Sequence, residues 1–79
     1  MPLYLFHVRG GPLETEDEEG IELPDNAAAY EQALRGARSL IAAEVLDGRL
    51  PRAERIEVED GDRRPVLILA FADAIKASS

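Results

Sequence analysis

The stretch Leu23–Gly48, LPDNAAAYEQALRGARSLIAAEVLDG, decides the fold, because it carries the strongest local signal in the chain. It predicts one helix from about Asn26 to Asp47. Asp25 is the expected N-cap, since its carboxylate can accept hydrogen bonds from the first amides of the helix. Pro24 discourages helix before that point, and Gly48 suits the left-handed residue that often ends a helix. Such a helix is about 33 Å long, so its C-terminal end is expected to overhang a pair of strands.

One face of this helix is expected to be apolar. Placed at about 100° per residue, eight side chains form a stripe: Ala27, Tyr30, Ala33, Leu34, Ala37, Leu40, Ile41 and Val45. Small residues recur on the opposite face, where they either admit a second helix or are simply tolerated at the surface: Ala29, Gly36 and Ala43. Glycine costs about 1 kcal/mol relative to alanine inside a helix, so the glycine in this set needs a reason.

Short apolar stretches on both sides of the helix predict strands. They are Leu3–Val8, Leu13–Thr15 with a short extension at Ile21–Leu23, Arg55–Glu59 and Pro65–Phe71. The Asp-Gly pair in Asp60–Arg63 predicts a hairpin turn between the last two strands. Residues 72–79, ADAIKASS, are expected to make one helical turn and then fray.

The element order β-β-α-β-β predicts an α+β fold, with residues 1–79 as one small domain. The economical arrangement has two layers: a four-stranded, mostly antiparallel sheet and one long helix on one face of it. The first and last strands are apolar on both faces, which is typical of central strands. We therefore expect the strand order 2-1-4-3.

A single helix covers only one face of such a sheet, yet two strands carry large apolar residues on both faces. An uncovered apolar face of that size usually marks an interaction surface. We expect the protein to form a homodimer, or to bind an unknown protein partner, through the sheet. The candidate interface residues, unless the alternate residues of the same strands take their place, are Leu3, Leu5, His7, Leu67, Leu69 and Phe71. The alternative is that long loops and the C-terminal turn fold over this face.

The run of carboxylates in Thr15–Asp25, TEDEEGIELPD, raises the question of a cation site or of a docking surface for a basic partner. The spacing fails for a calcium-binding EF-hand loop: with Gly20 at the sixth position, the twelfth is Asn26 and not a bidentate glutamate. A solvated acidic turn is therefore favoured, and no metal or cofactor is expected. The acidic patch consists of Glu16, Asp17, Glu18 and Glu19. A looser cation site is the alternative, formed by Asp17, Glu19, Glu22 and Asp25.

Few side chains in the sequence suggest catalysis. His7 is the only histidine and is expected to be a half-buried strand residue, although its charge can respond to pH. No serine or cysteine lies near it in sequence to form a nucleophile pair. Ser39 is expected to face solvent, and Ser78 and Ser79 lie in the tail. Because the groups for acid–base or covalent chemistry are not assembled at a recognisable spacing, we expect no enzymatic activity.

The composition argues against several classes of function. The 79 residues include 16 acidic and 9 basic ones, and the net charge of −7 opposes binding to nucleic acid and to anionic membranes. No apolar run approaches the roughly 20 residues of a membrane span, and the first residues lack the pattern of a signal peptide, so we expect a cytoplasmic protein. The core is thin and there is no cysteine, so oligomerisation is the expected source of additional stability.

Several segments occur in an order that is itself informative: MPLYLFHVRGG, DEEGIELPD, an alanine-rich helix with ALRGAR, and a hairpin ending in LAFADAI. The chain resembles, over nearly its whole length, a family of short uncharacterised proteins common in alphaproteobacteria and described as a domain of unknown function. The family pattern is M-P-x-Y-x-F-x-V, a glycine turn, D-x-E-G-x-x-L-x-D, and A-x-x-x-A in the helix. The matching residues are Met1, Pro2, Tyr4, Phe6, Val8, Gly10, Asp17, Glu19, Gly20, Leu23, Asp25, Ala29 and Ala33.

This resemblance implies a bacterial source and lends no activity, because none is established for the family. His7 departs from the pattern, since relatives often carry aspartate there, and a role tied to an acidic group at that position does not transfer. The layout is also similar, by analogy only, to the sheet-and-helix domains of HicB-type antitoxins, which have a different strand count before the helix. The expectation is a small acidic module that self-associates. A ligand- or divalent-cation-binding domain using the acidic loop is the alternative.

Overall fold

The computed structural model describes residues 1–77, with Ser78, Ser79 and the end of the predicted frayed tail outside the described part. The chain forms four strands and two helices in the order β1-β2-α1-β3-β4-α2. Their bounds are β1 Leu3–Arg9, β2 Ile21–Glu22, α1 Asn26–Leu46, β3 Arg55–Asp60, β4 Pro65–Ala70 and α2 Phe71–Ala77. The four strands make one antiparallel sheet, which confirms the predicted α+β fold. Neither α1 nor α2 combines the length and hydropathy needed to cross a bilayer.

Helix α1 begins and ends where its capping residues predict. The carboxylate of Asp25 accepts a hydrogen bond from the amide of Ala28 at 2.8 Å, which satisfies one of the free first-turn donors. Gly48, two residues after the helix, has a φ of +85°, a conformation that residues with a side chain rarely adopt. Both capping predictions are therefore confirmed.

The face of α1 that meets the sheet differs from the predicted stripe. Its buried residues are Ala29, Ala33, Leu34 and Ala37. Tyr30 and Val45, both placed in the predicted stripe, are 40% and 52% exposed. The prediction that Ala29 and Gly36 lie on an outer face is wrong. A Cβ atom added to Gly36 would lie 3.7 Å from Cδ1 of Ile56 in β3, so this glycine faces the sheet. Alanine and glycine on this face let the helix axis approach the sheet closely, which a stripe of larger residues would prevent.

The strand order is β2-β1-β3-β4, so the predicted order 2-1-4-3 is wrong. Strand β3 pairs with β1 on one side and β4 on the other, and β4 lies at the edge. Apolar residues on both faces of β4 suggested a central position. In the structure its inward residues Leu67 and Leu69 contact the core, whereas Ile68 is 63% exposed. The more polar β3 takes the centre because its outward glutamates find partners on β1, as described below.

Both helices pack on one face of the sheet, and the core lies between these two layers. Its larger buried residues come from every principal element: Tyr4, Val8, Leu34, Ile56, Val58, Leu69 and Phe71. Phe71 was predicted to end the last strand, but it is the first residue of α2 and is fully buried. Helix α2 thereby turns back from the end of β4 and adds Ala74 to the same core. The opposite face of the sheet is called the open face below.

Candidate functional site

The open face of the central strands is polar where β1 and β3 meet. Residues paired across antiparallel strands point to the same side, and His7 lies opposite Glu57, as Leu5 lies opposite Glu59. Arg9, two residues beyond His7, points to the same side. The alternating sequence of β3 thus places its charged residues on this face and its apolar residues in the core. A cluster of one histidine with carboxylates and an arginine follows directly from that register.

A loop folds back over β1 on the open face. We call residues 10–20 the covering loop. Its course is fixed first at Thr15, which exchanges two backbone hydrogen bonds of 2.9 Å with Val8. It is fixed again at Gly20, whose φ is +75° and where an added Cβ would lie 2.7 Å from the carbonyl oxygen of Tyr4. Leu5 is only 4% exposed, although no helix covers its face of the sheet. The covering loop therefore takes over part of the role of a second layer.

Asp17 is the residue that shapes the covering loop. Its Oδ2 accepts a hydrogen bond from the amide of Phe6 in β1 at 3.0 Å. Its Oδ1 accepts from the amides of Glu19 at 3.2 Å and Gly20 at 3.1 Å. Burial opposes ionisation of this carboxyl group, but the three backbone hydrogen bonds outweigh it and lower the pKa of Asp17. One side chain thus joins the loop to the edge of β1.

His7 is completely buried beneath the covering loop. Its Nδ1 accepts a hydrogen bond from the amide of Asp17 at 3.0 Å, and its Nε2 lies 2.8 Å from Oε1 of Glu59. A backbone amide can only donate, so Nδ1 carries the lone pair and the proton of the neutral ring is on Nε2. Nε2 then donates to Glu59. The Oε2 atom of Glu16 also lies 3.1 Å from Nδ1.

Arg9 holds Glu16 in this position. Its Nη2 lies 3.2 Å and 2.9 Å from the two carboxylate oxygens of Glu16, and its Nε lies 3.7 Å from Glu57. The hydrogen bond from Arg9 lowers the pKa of Glu16, and the same bond raises the pKa of Arg9. We call His7, Arg9, Glu16, Asp17, Glu57 and Glu59 the His7 cluster.

The His7 cluster orients its histidine but leaves no ring nitrogen open to solvent. Nδ1 and Nε2 are both engaged, and the ring has no exposed surface. General acid–base chemistry needs a ring nitrogen within reach of an outside molecule, and this arrangement does not offer one. Within residues 1–77, no three histidine, aspartate or glutamate side chains are positioned to hold a metal ion.

The six predicted interface residues are not brought to one surface. Leu3 is 37% exposed on the open face, whereas Leu5 and His7 on that face are buried. Leu67 and Leu69 pack on the helix side, and Phe71 lies in the core as part of α2. The reason is the combination of the covering loop on β1 with the inward orientation of Leu67 and Leu69 in β4.

The predicted acidic patch is divided in two. Glu16 and Asp17 are turned toward Arg9, His7 and the edge of β1, where they have specific partners. Glu18 and Glu19 are exposed at the tip of the loop. Sequence reasoning did not find the partners Glu57 and Glu59. The alternation RIEVE was visible, but it places those glutamates opposite His7 only once β3 is known to lie beside β1.

The outer edge of β4 is a second feature of interest. The amide of Phe71 donates to the carbonyl of Glu54 at 3.0 Å, so these two residues form a hydrogen-bonded pair. Along antiparallel strands, hydrogen-bonded pairs alternate with pairs that are not hydrogen-bonded, and Ile68 and Ala70 belong to the second kind. The amide and carbonyl of Ile68 and the amide of Ala70 therefore point away from β3. Within residues 1–77, no strand pairs with this edge. The strand sequence PVLILA carries no charge.

The fold and the His7 cluster define a small α+β domain whose antiparallel sheet is covered by helices on one face and by a loop on the other. The family model described as a domain of unknown function, DUF6894, matches residues 3–72. The chain therefore belongs to that family, which agrees with the resemblance to an uncharacterised domain family. No curated protein matches the chain. No solved structure matches it either.

Proposed function

We propose that the protein is a small interaction module that associates with a second copy of itself through the outer edge of β4. The carrying observation is that β4 is an uncharged, apolar edge strand whose outward backbone groups include those of Ile68, a residue 63% exposed. Unpaired edges of this kind are templates for adding another strand.

The absence of charge from β4 supports this proposal. Edge strands that stay single are commonly protected by lysine, proline, a bulge or a covering segment. Here Pro65 stands only at the first position, and the irregular pairing at Val58/Glu59 lies opposite the same end. The remaining length, through Ala70, has no lysine, proline or bulge, and in the described part of the chain no further strand pairs with it. A partner strand would shield it and prevent open-ended association.

Antiparallel pairing of β4 with β4 of a second copy would close the assembly. A two-fold axis near Ile68 would let that residue exchange its amide and carbonyl hydrogen bonds with the same residue of the partner. The two sheets would become one sheet of eight strands with the helices on one face. A chain of 79 residues buries a smaller fraction of its unfolded surface than a larger domain does, so this contact would add stability that its thin core lacks.

The sequence placed the self-association surface on a face of the sheet, and the proposal moves it to the edge. The open face carries charged residues along β3 and a loop over β1, so it offers no continuous apolar area for a partner. Association through the edge of β4 would still use the sheet. Its main contact would be backbone hydrogen bonding between two strands, and not side-chain packing between two sheet faces.

Ile68→Lys tests the proposal. Because Ile68 is mostly exposed, the lysine should leave the monomer folded, yet it places two positive charges together at the two-fold axis. Sedimentation velocity or light scattering should find a dimer of the unaltered protein at tens of micromolar and a folded monomer of the variant. A monomer of the unaltered protein at that concentration would overturn the proposal.

Ile21→Lys is the matched control. Ile21 is 40% exposed on β2, the strand at the opposite edge of the sheet. The same substitution there should leave the dimer intact. If Ile21→Lys dissociates the dimer and Ile68→Lys does not, the protein associates through the β2 edge and the proposal is wrong.

Binding of a divalent cation or small ligand by the acidic loop has less support. Both oxygens of Asp17 already accept backbone hydrogen bonds. Oδ1 accepts from two amides and Oδ2 from one, so a cation bound to Asp17 would compete with the bonds that attach the loop to β1. Glu18 and Glu19 at the tip are exposed, and among the described residues they are not positioned with Asp17 to hold a metal ion.

A further inference from the structure

We propose that His7 is a proton-operated latch for the covering loop. When the ring gains a second proton, its Nδ1 exchanges the amide of Asp17 for the carboxylate of Glu16 as hydrogen-bond partner. This inference concerns the open face of the sheet and is independent of the proposed association through β4.

The geometry at one nitrogen carries the proposal. Nδ1 of His7 has the amide nitrogen of Asp17 at 3.0 Å and Oε2 of Glu16 at 3.1 Å. A ring nitrogen offers either one lone pair or one N–H in the plane of the ring. With the lone pair it accepts from the amide of Asp17, and the Glu16 oxygen faces it without a hydrogen. With N–H it donates to Glu16, and the Asp17 amide loses its acceptor.

The opposite nitrogen does not change partner. Nε2 carries a hydrogen in both states and donates to Oε1 of Glu59 in both, at 2.8 Å in this structure. This bond fixes the ring, so the proton on Nδ1 must be accommodated by the loop and not by rotation of His7. The ring is completely buried, which leaves no water to take the place of a lost partner at its surface.

Charged groups around the ring can accommodate the positive state. Strand β3 contributes Glu57 and Glu59, the covering loop contributes Glu16 and Asp17, and β1 contributes Arg9. Arg63, in the turn after β3, approaches Glu59 at 4.0 Å, and Arg55 approaches Glu57 at 2.7 Å. The hydrogen bond from Arg9 lowers the pKa of Glu16, so this carboxylate stays ionised where histidines titrate.

The consequence falls on the covering loop. In the neutral state the loop is attached to the open face by the amide of Asp17 on His7, in addition to the Asp17 carboxylate on Phe6 and the bridge at Thr15. In the protonated state the first of these attachments is lost, while Glu16 is drawn closer. The loop then stays attached to His7 through Glu16, the neighbouring residue, while the Asp17 amide is released from the ring.

An NMR titration of the ¹⁵N-labelled full chain from about pH 8 to about pH 5 tests the latch. The two ring nitrogens should show a neutral form with hydrogen on Nε2, followed by one step to the doubly protonated ring. In that same step the Asp17 amide proton should shift upfield. Its protection against hydrogen exchange, after correction for the intrinsic pH dependence, should fall about tenfold, as loss of one hydrogen bond predicts.

Glu16→Gln and Glu18→Gln form a matched pair for the same titration. Each removes one negative charge from the covering loop, but only Glu16 lies at the ring. Glu16→Gln should shift the histidine step to lower pH, because the protonated ring loses its anionic partner, and Glu18→Gln should leave it in place. Equal shifts in the two variants would overturn the proposal. So would an Asp17 amide whose shift and protection do not change as His7 titrates, or a neutral ring with its hydrogen on Nδ1.

Discussion

At the scale of single residues, the polar side chains under the covering loop attach that loop to the sheet by hydrogen bonds, whereas the apolar residues pack between the sheet and the helices. Asp17 makes three hydrogen bonds to backbone amides, and His7 makes one bond to the loop and one to β3. These contacts substitute for a second layer over β1. Burying these polar groups costs little free energy because their hydrogen bonds are made: within the described residues, no buried side-chain nitrogen or oxygen is left without a partner.

Asp17→Ala is expected to destabilise the protein by about 1–2 kcal/mol at neutral pH, since three amides lose an acceptor that solvent only partly replaces. The folded state lowers the pKa of Asp17, so its contribution is present above the ordinary carboxyl pKa. It disappears as the pH falls through the lowered value. Urea unfolding at a series of acidic pH values should therefore show the variant and the unaltered protein converging in stability.

Glu18→Ala provides the control for this measurement. Glu18 lies in the same loop and is exposed, and its replacement should change stability by no more than about 0.5 kcal/mol. A loss in Glu18→Ala as large as that in Asp17→Ala would mean that the total charge of the loop matters more than the specific hydrogen bonds of Asp17.

At the scale of elements, the ends of α1 are set by local sequence signals, whereas the face that it buries is set by packing against the sheet. Asp25 and Gly48 set its two ends, and these contacts are local enough to be read from sequence. The rotation of the helix about its axis depends on the surface it meets. Alanines face the sheet, and Tyr30 lies at the side, because the close approach of two layers rewards small residues more than large ones.

Gly36→Ala is expected to stabilise the protein by about 0.5–1 kcal/mol. Glycine inside a helix costs conformational entropy, and the added methyl group would meet Cδ1 of Ile56 at 3.7 Å, an ordinary van der Waals distance. Thermal unfolding followed by circular dichroism would measure the change. A larger side chain, as in Gly36→Leu, should instead push α1 away from β3 and destabilise the fold.

Gly48→Ala is the matched comparison, because it makes the same chemical change next to the same helix. Its φ of +85° disfavours any residue with a Cβ, although open space surrounds the position. It should therefore lose about 1 kcal/mol where Gly36→Ala gains stability. If both variants gained stability, the positive φ of Gly48 would not be the reason why glycine is needed there.

At the scale of the whole molecule, the sheet has one protected edge and one open edge. Strand β2 is only two residues long, and the covering loop lies beside it along β1. Strand β4 is six residues long and uncharged. An open, apolar edge on a small acidic domain fits the proposed assembly, because the net charge of −7 opposes non-specific association while the edge would supply one directed contact.

Assembly through β4 predicts a stability that depends on protein concentration. If folding is coupled to dimer formation, the melting temperature should rise by roughly 5 °C over about a hundredfold increase in concentration. Ile68→Lys should remove that dependence, while Ile21→Lys should retain it. Scanning calorimetry or fluorescence melts at several concentrations would make the comparison. A melting temperature of the unaltered protein that is independent of concentration would contradict the coupling.

The fold class and the element order were predictable from the sequence because their causes are local. Alternating strands, the Asp25 cap and the glycine after the helix act over a few residues. The candidate site was only partly predictable. His7 and the acidic run stood out as unusual residues, but Glu57 and Glu59, which lie beside Arg9 and His7, are some fifty residues further along the chain than these two. Their meeting depends on β3, and not β4, lying beside β1.

By itself, then, the sequence determined the positions of β1, β3 and β4, where α1 begins and ends, and that this helix lies on one face of the sheet. It misplaced the second strand, expected at Leu13–Thr15 with an extension at Ile21–Leu23, because only Ile21–Glu22 pairs as a strand. Only the tertiary structure decided the strand order, the rotation of α1 and what lies on the open face. These depend on the balance between apolar burial and the pairing of charged residues. Central β3 is favoured because its glutamates meet His7 and Arg9 of β1 there, and β4 is left at the edge.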